Sequence, residues 1–85
     1  MIVVKKRIEK TAIERKTEIR FGIMIKELRL KYNYTQSILA EKANISTQTL
    51  SSIENYGQNV GIGTIKSFAD AFGLTLAELF SDYEE

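Results

Sequence analysis

The sequence predicts an all-α fold of five helices, and three observations carry that expectation. The 85 residues are 44% hydrophobic, with no proline and only five glycines, a composition that suits one small, largely helical domain. Apolar residues recur at helical spacing in successive windows of the chain. Thr35, Ser46 and Thr75 each stand where such a window begins, and these residue types accept a hydrogen bond from a helix's first free N–H groups.

Residues 1–18 read as an N-terminal extension and 19–85 as the domain. In the extension Ile2-Val3-Val4 is too short for more than an edge strand, whereas Ile8, Ala12 and Ile13 recur at near-helical spacing. A mobile arm, a helix leading into the domain and a strand that pairs with its copy in a dimer all remain open. From Ile19 the signal improves. Phe21, Ile25, Leu28 and Tyr32 form one apolar stripe of a first helix ending near Tyr32-Asn33. Ile23, Met24 and Leu30 lie off that stripe, and the N-terminal segment is the candidate to cover them.

Thr35 caps a second helix that runs to about Ala43, with Ile38, Leu39 and Ala43 facing inward. Ser46 caps a third, from Thr47 to about Asn55, with Leu50 and Ile53 as its buried edge. A loop holding Gly57, Asn59, Gly61 and Gly63 follows. Thr64 then opens a fourth helix that buries Ile65, Phe68, Ala69 and Phe72, and Gly73 stops it. Thr75 caps a fifth helix bearing Leu76, Leu79 and Phe80. Phe21, Phe68, Phe72 and Phe80 at helical spacing read as core rather than as the lining of a ligand site.

The second and third helices carry the functional signal. Thr35-Gln36, Ala40, Asn44-Ile45-Ser46, Leu50 and Ile53-Glu54 are spaced as two short helices joined by a tight turn. Ala40 is small where the helices cross, and Asn44 tolerates the left-handed conformation such a turn needs. A unit of this kind presents its second helix outward, the arrangement by which DNA-binding proteins enter the major groove.

Composition narrows the alternatives. The chain has no cysteine and no histidine, so thiolate zinc sites, disulfides and the usual general base are absent. Glu41 and Glu54 are isolated carboxylates without a partner at catalytic spacing, which argues against an enzyme. No metal and no cofactor is expected. The apolar runs are far shorter than a membrane span, and Lys5-Lys6-Arg7 behind Met1 to Val4 is the wrong order for a secretory signal, so a cytoplasmic location is expected. The net charge of +1 conceals an asymmetry. Residues 1–31 hold ten Lys or Arg against four Glu, a balance of +6, and residues 32–85 hold two Lys against seven acids, a balance of −5. A polyanion would meet the first part more readily.

The stretch from Phe21-Gly22 through Leu28-Arg29, Thr35-Gln36, Leu39-Ala40, Ile45-Ser46, Ile53-Glu54, Thr64-Ile65 and Ala69 to Leu74 and Leu79-Phe80 resembles the helix-turn-helix family of phage repressors and Cro proteins, often called the XRE family. The resemblance implies a lambda-repressor-like domain. Asn44 replaces the family's usual turn glycine, and Tyr56-Gly57 stands where a glycine more often follows the Glu-x pair directly. Ser52-Ile53-Glu54, Gln58-Asn59 and Thr64-Ile65 are most similar to the controller proteins of restriction-modification systems, which are small homodimeric regulators.

Thr47, Gln48, Thr49, Ser51 and Ser52 are the outward residues of the third helix. Gln48 is the best candidate for base readout, because its amide donates and accepts at once and matches an adenine edge. Thr47 and Ser52 resemble the family's other base-facing positions. Gln36, at the start of the second helix, is the leading contact to the DNA backbone. Ser46, Thr49, Ser51, Asn55 and Asn59 are further backbone candidates, although capping and turn formation are rival roles for Ser46 and Asn59. Lys5, Lys6, Arg7, Lys10 and Lys26 form the reservoir for ionic phosphate contacts. The resemblance implies a partly buried salt bridge between Arg29 and Glu54, a scaffold role. Ile62, Phe72, Leu74 and Leu76 offer apolar area for a dimer surface.

The expected partners are therefore double-stranded DNA and a second copy of the chain, which together would read a palindromic operator, with repression or autoregulation as the default outcome. Activation would require a contact to RNA polymerase. The alternative is an antitoxin that binds a protein toxin through its N-terminal extension and autoregulates its operon.

Overall fold

A computed structural model describes residues 11–83, which form five α-helices and no strand. The first, α1 (Ala12–Lys31), is twenty residues long. Its start is set by a reciprocal cap. Thr11 Oγ1 accepts from the Glu14 backbone N–H at 3.0 Å, and Glu14 Oε1 accepts from the Thr11 N–H at 2.9 Å. Of the three readings of the extension, a helix leading into the domain describes residues 12–18, and α1 passes residue 19 without a break. Residues 1–10 lie outside the described residues, and with them the proposed cover for Ile23 and Leu30. Those two side chains are exposed, whereas Met24 is buried and widens the inward stripe to Phe21, Met24, Ile25 and Leu28. Asn33 ends the helix in the left-handed region (φ 60°), and Tyr34 N–H returns to Arg29 O at 3.0 Å.

Helix α2 (Gln36–Ala43) is capped by Thr35 as expected. Leu39, Ala40 and Ala43 are buried, but Ile38 is 42% exposed and faces solvent, contrary to its expected inward position. Asn44 takes the left-handed conformation (φ 59°, ψ 44°) and Ile45 N–H bonds back to Ala40 O, so the turn closes within three residues. Helix α3 (Thr47–Tyr56) starts at the cap read from the sequence, with Ser46 Oγ accepting from Thr49 N–H.

Helix α4 (Ile62–Phe72) begins two residues before Thr64. Gly61 is its N-cap and makes no side-chain cap bond, so the start leaves no polar signature in the sequence. Phe68, Ala69 and Phe72 are buried, Ile65 is half-buried, and Gly73 (φ 71°) ends the helix. Helix α5 (Leu76–Phe80) opens on a second reciprocal cap, Thr75 with Glu78, and buries Leu79. Phe80 was expected inward and is 39% exposed, its ring 6.0 Å from Phe21 and 6.3 Å from Tyr83.

Helix α3 packs along α1, α2 lies on α4, and α5 closes on α4. Phe68 sits at the centre without exposed surface, 6.1 Å from the Phe21 ring. Tyr32, Tyr34 and Phe72 form an aromatic corner where α1 ends, with Tyr34 and Phe72 stacked at 5.9 Å. The α2–turn–α3 unit is thus held by α1 and α4, with the outer face of α3 left open.

Candidate nucleic-acid interface

The sequence of α3 divides its surface into two faces. Leu50, Ile53 and Glu54 are buried, Thr47, Gln48, Asn55 and Tyr56 are exposed, and Thr49, Ser51 and Ser52 are half-buried along the boundary. Apart from Glu54 the helix has no charged side chain. Its outer face is a ridge of neutral hydrogen-bonding groups.

Glu54 would repel a polyanion if it reached that face, but its side chain has no exposed surface. Arg29 on α1 grips it with two bonds, Nε to Oε2 at 2.8 Å and Nη2 to Oε1 at 3.1 Å. The remaining guanidinium arm donates to Tyr34 O at 3.0 Å. Gln36 Nε2 adds a fourth bond, to Glu54 Oε1 at 3.0 Å. No buried side-chain nitrogen or oxygen among the described residues lacks a partner, which is the condition under which a buried ion pair is tolerated. Arg29 and Glu54 thus form a buried ion pair between α1 and α3, and Gln36 belongs to it through its side chain. The backbone N–H of Gln36, at the open end of α2, remains the part of this residue that an anion could approach.

The polar residues around α3 are tied to one another. Ser46 Oγ accepts from Thr49 N–H at 3.0 Å and donates to Thr49 Oγ1 at 2.8 Å, so its capping role is realised. Asn55 Nδ2 donates to Ser51 Oγ at 3.1 Å, one turn back along the exposed face. Asn59 is exposed in the loop after α3. Lys42 sits 5.4 Å from the centre of the Tyr34 ring, and Lys26 is exposed on α1. The four basic residues at positions 5, 6, 7 and 10 lie outside the described residues.

Two residues to which the sequence assigns no role of their own shape the site. A Cβ built on Gly22 would lie 2.0 Å from Ile53 O, so α1 and α3 touch backbone to backbone there. A glycine inside an otherwise periodic helix was the available signal. Arg15 reaches the other end of α3, donating from Nη2 to Tyr56 O at 2.7 Å and from Nη1 to Gly57 O at 3.2 Å. Gly57 itself takes φ 76° one residue after the helix, against Ile19. The displaced glycine noted in the sequence therefore marks the end of α3.

Of the four apolar residues suggested for a dimer surface, Ile62 is 71% exposed and Leu74 and Leu76 are half-buried. Phe72 points into the core and offers almost no surface. Among the described residues no helix is long and apolar enough to cross a membrane, and no cluster of acidic side chains could hold a metal ion.

Comparison with known proteins agrees with this arrangement. Residues 25–79 match a family model described as helix-turn-helix. The chain is 38% identical over 69 residues to the control protein C.MunI from Mycoplasma sp, spanning 80% of this chain and 93% of that one. It is similar in structure to the restriction-modification controller protein C.AhdI from Aeromonas hydrophila, with a TM-score of 0.68 at 27% identity over 73% of this chain and 94% of that one. It also resembles C.Esp1396I bound to a 25 base pair operator site, with a TM-score of 0.72 at 25% identity over 76% of this chain and 86% of that one.

Proposed function

Because the chain belongs to the XRE-type helix-turn-helix family, we propose that it is a sequence-specific, double-stranded-DNA-binding transcriptional regulator, a controller-type repressor or autoregulator acting as a homodimer. The observation that carries this reading is the exposed neutral ridge of α3, whose one acid is drawn inward by Arg29. Such a ridge enters the major groove without repelling phosphates.

Within it Gln48 pairs with an adenine edge, Thr47 sets its methyl group against a thymine, and Ser52 supplies a further contact. The α2 N-terminus at Gln36, with Asn55, Asn59 and the hydroxyls of Ser46, Thr49 and Ser51, faces the sugar-phosphate backbone. One such helix reads only a few base pairs, so a two-fold dimer reading a palindrome supplies the needed specificity. Ile62, Leu74 and Leu76 are the surface residues proposed for that dimer.

Selection of bound sites from random duplexes tests the whole reading. The recovered sequences are expected to share a palindrome with half-sites about 34 Å apart; a pool without any consensus would end it. Gln48→Ala is expected to cost about 1–3 kcal/mol on the selected duplex and to relax one position per half-site. Equal loss on random DNA would make Gln48 a backbone contact instead. Affinity is expected to fall steeply with salt if Lys and Arg side chains neutralise phosphates, the slope counting how many. For the dimer, sedimentation at micromolar concentrations is expected to give twice the chain mass, and a monomer there would contradict it.

A further inference from the structure

We propose that Arg15 is a positioning residue for DNA recognition, holding the C-terminal turn of α3 so that Thr47 and Gln48 at the other end stay aimed at the bases; this rests on the functional reading above. Arg15, Gly22 and Arg29 stand seven residues apart on α1. Seven residues are close to two turns, so the three share one face at intervals of roughly 10 Å. The middle position is where α3 lands, because a Cβ on Gly22 would strike Ile53 O. From one side Arg29 takes the carboxylate of Glu54, and from the other Arg15 takes the carbonyls of Tyr56 and Gly57. The end of α3 is therefore gripped on both flanks of its crossing point.

The chemistry of the two grips differs. Arg29 holds a buried carboxylate, and its loss would disturb the core. The Arg15 side chain is 44% exposed and paired with Glu18 Oε1 at 3.1 Å, and it bonds carbonyl oxygens at the negative end of a helix dipole. Its planar fork matches two successive carbonyls in a way that one ammonium does not. With Arg15 removed, the last turn of α3 would keep its crossing at Gly22 and the Arg29 grip but lose its second flank, and α3 would tilt more readily about the buried Leu50 and Ile53. Gln48 lies five residues from Ile53, where the crossing holds α3, a lever of roughly 7.5 Å, so a tilt of about 10° moves it by roughly 1.3 Å. That displacement exceeds the tolerance of a hydrogen bond to a base. Arg15 also precedes the segment that matches the family model, residues 25–79, so the first turns of α1 extend the recognition device beyond the residues that the family model matches.

The test uses the full chain, duplexes selected by the wild-type protein, and random duplexes of equal length. Arg15→Met is expected to weaken binding to the selected duplex by about tenfold while leaving random-duplex affinity and the salt slope near wild type. Amide hydrogen exchange is expected to quicken at residues 53–57 and stay unchanged at Phe68 and Leu39. Arg15→Lys, which keeps the charge without the fork, is expected to recover only part of the loss. The proposal is overturned by unchanged binding, by a uniform loss with a shallower salt slope and full rescue by lysine (a phosphate contact), or by faster exchange throughout the core (a purely structural role). If wild-type protein selects no sequence, the functional reading has failed, and that result is visible without any variant.

Discussion

Gly22→Ala is expected to destabilise the protein by roughly 3 kcal/mol, lowering the thermal midpoint by roughly 15 °C. Two effects oppose one another at this position. Alanine is a better helix former than glycine by about 1 kcal/mol, which alone would stabilise α1. Against it, the added methyl would sit 2.0 Å from Ile53 O and 3.0 Å from Ile53 C, and both atoms belong to backbone that no rotamer change can move aside. Relief requires α1 and α3 to separate, which loosens Ile25, Leu50 and Ile53 together, all nearly free of solvent in the native packing. The steric cost therefore wins. Gly63 supplies the control: it lies within α4 with nothing inside 4 Å of an added Cβ. Gly63→Ala is expected to raise stability by about 0.5–1 kcal/mol. Thermal or urea unfolding of the two variants decides the matter, and a Gly22→Ala protein as stable as wild type would mean that the helices do not meet at this distance.

These two glycines illustrate what local sequence conveys. Caps were legible at Thr35, Ser46 and Thr75 because each rests on a hydrogen bond between residues three apart, with no reference to the rest of the fold. Asn44 was legible for the same reason, since its left-handed turn is a property of its own side chain. The Thr11–Glu14 box carries an equally local signal, but six charged residues from Glu14 to Lys26 dilute the apolar stripe that would have drawn attention to it. Periodicity misleads at Ile38 and Phe80, each about 100° around its helix from a buried neighbour, Leu39 and Leu79; the same adjacency leaves Phe68 and Ala69 both buried on α4, which α2 and α5 cover. The α4 start was invisible because Gly61 offers no capping side chain.

The site was legible in a different measure. The polar ridge of α3 follows from which positions remain after Leu50 and Ile53 are buried, a local deduction. The engagement of Gln36 with Glu54, eighteen residues away, and of Arg15 with Tyr56, forty-one residues away, depends on how helices cross. Periodicity within one helix cannot report such pairings. Arg29 and Glu54 came from family resemblance, because a glutamate one residue beyond Ile53 otherwise reads as an ordinary polar position.

That ion pair gives the largest expected effect. Arg29→Met is expected to cost about 3–5 kcal/mol, a large share of what a small domain holds, typically about 5–15 kcal/mol. Arg29 supplies two of the bonds to the Glu54 carboxylate, and its removal leaves a charge with no exposed surface held by the Gln36 amide. It also strips Tyr34 O of its guanidinium donor at the end of α1. Glu54→Leu removes the opposite partner and leaves Arg29, 11% exposed by side chain, with one edge toward water; a smaller loss is expected. The double variant Arg29→Met/Glu54→Leu replaces both charges with apolar groups and should recover a substantial part of the Arg29→Met deficit, since the orphaned carboxylate dominates that deficit. Urea unfolding of the four proteins measures the coupling directly. Additive losses would show that the pair does not act as a unit. Because Glu54 lies on α3, each single variant should also lose DNA binding in proportion to the fraction unfolded, and adding osmolyte to restore folding should restore binding with it. A variant that is folded yet cannot bind would instead show that the pair also aims α3, since the Arg29 grip holds Glu54 on that helix.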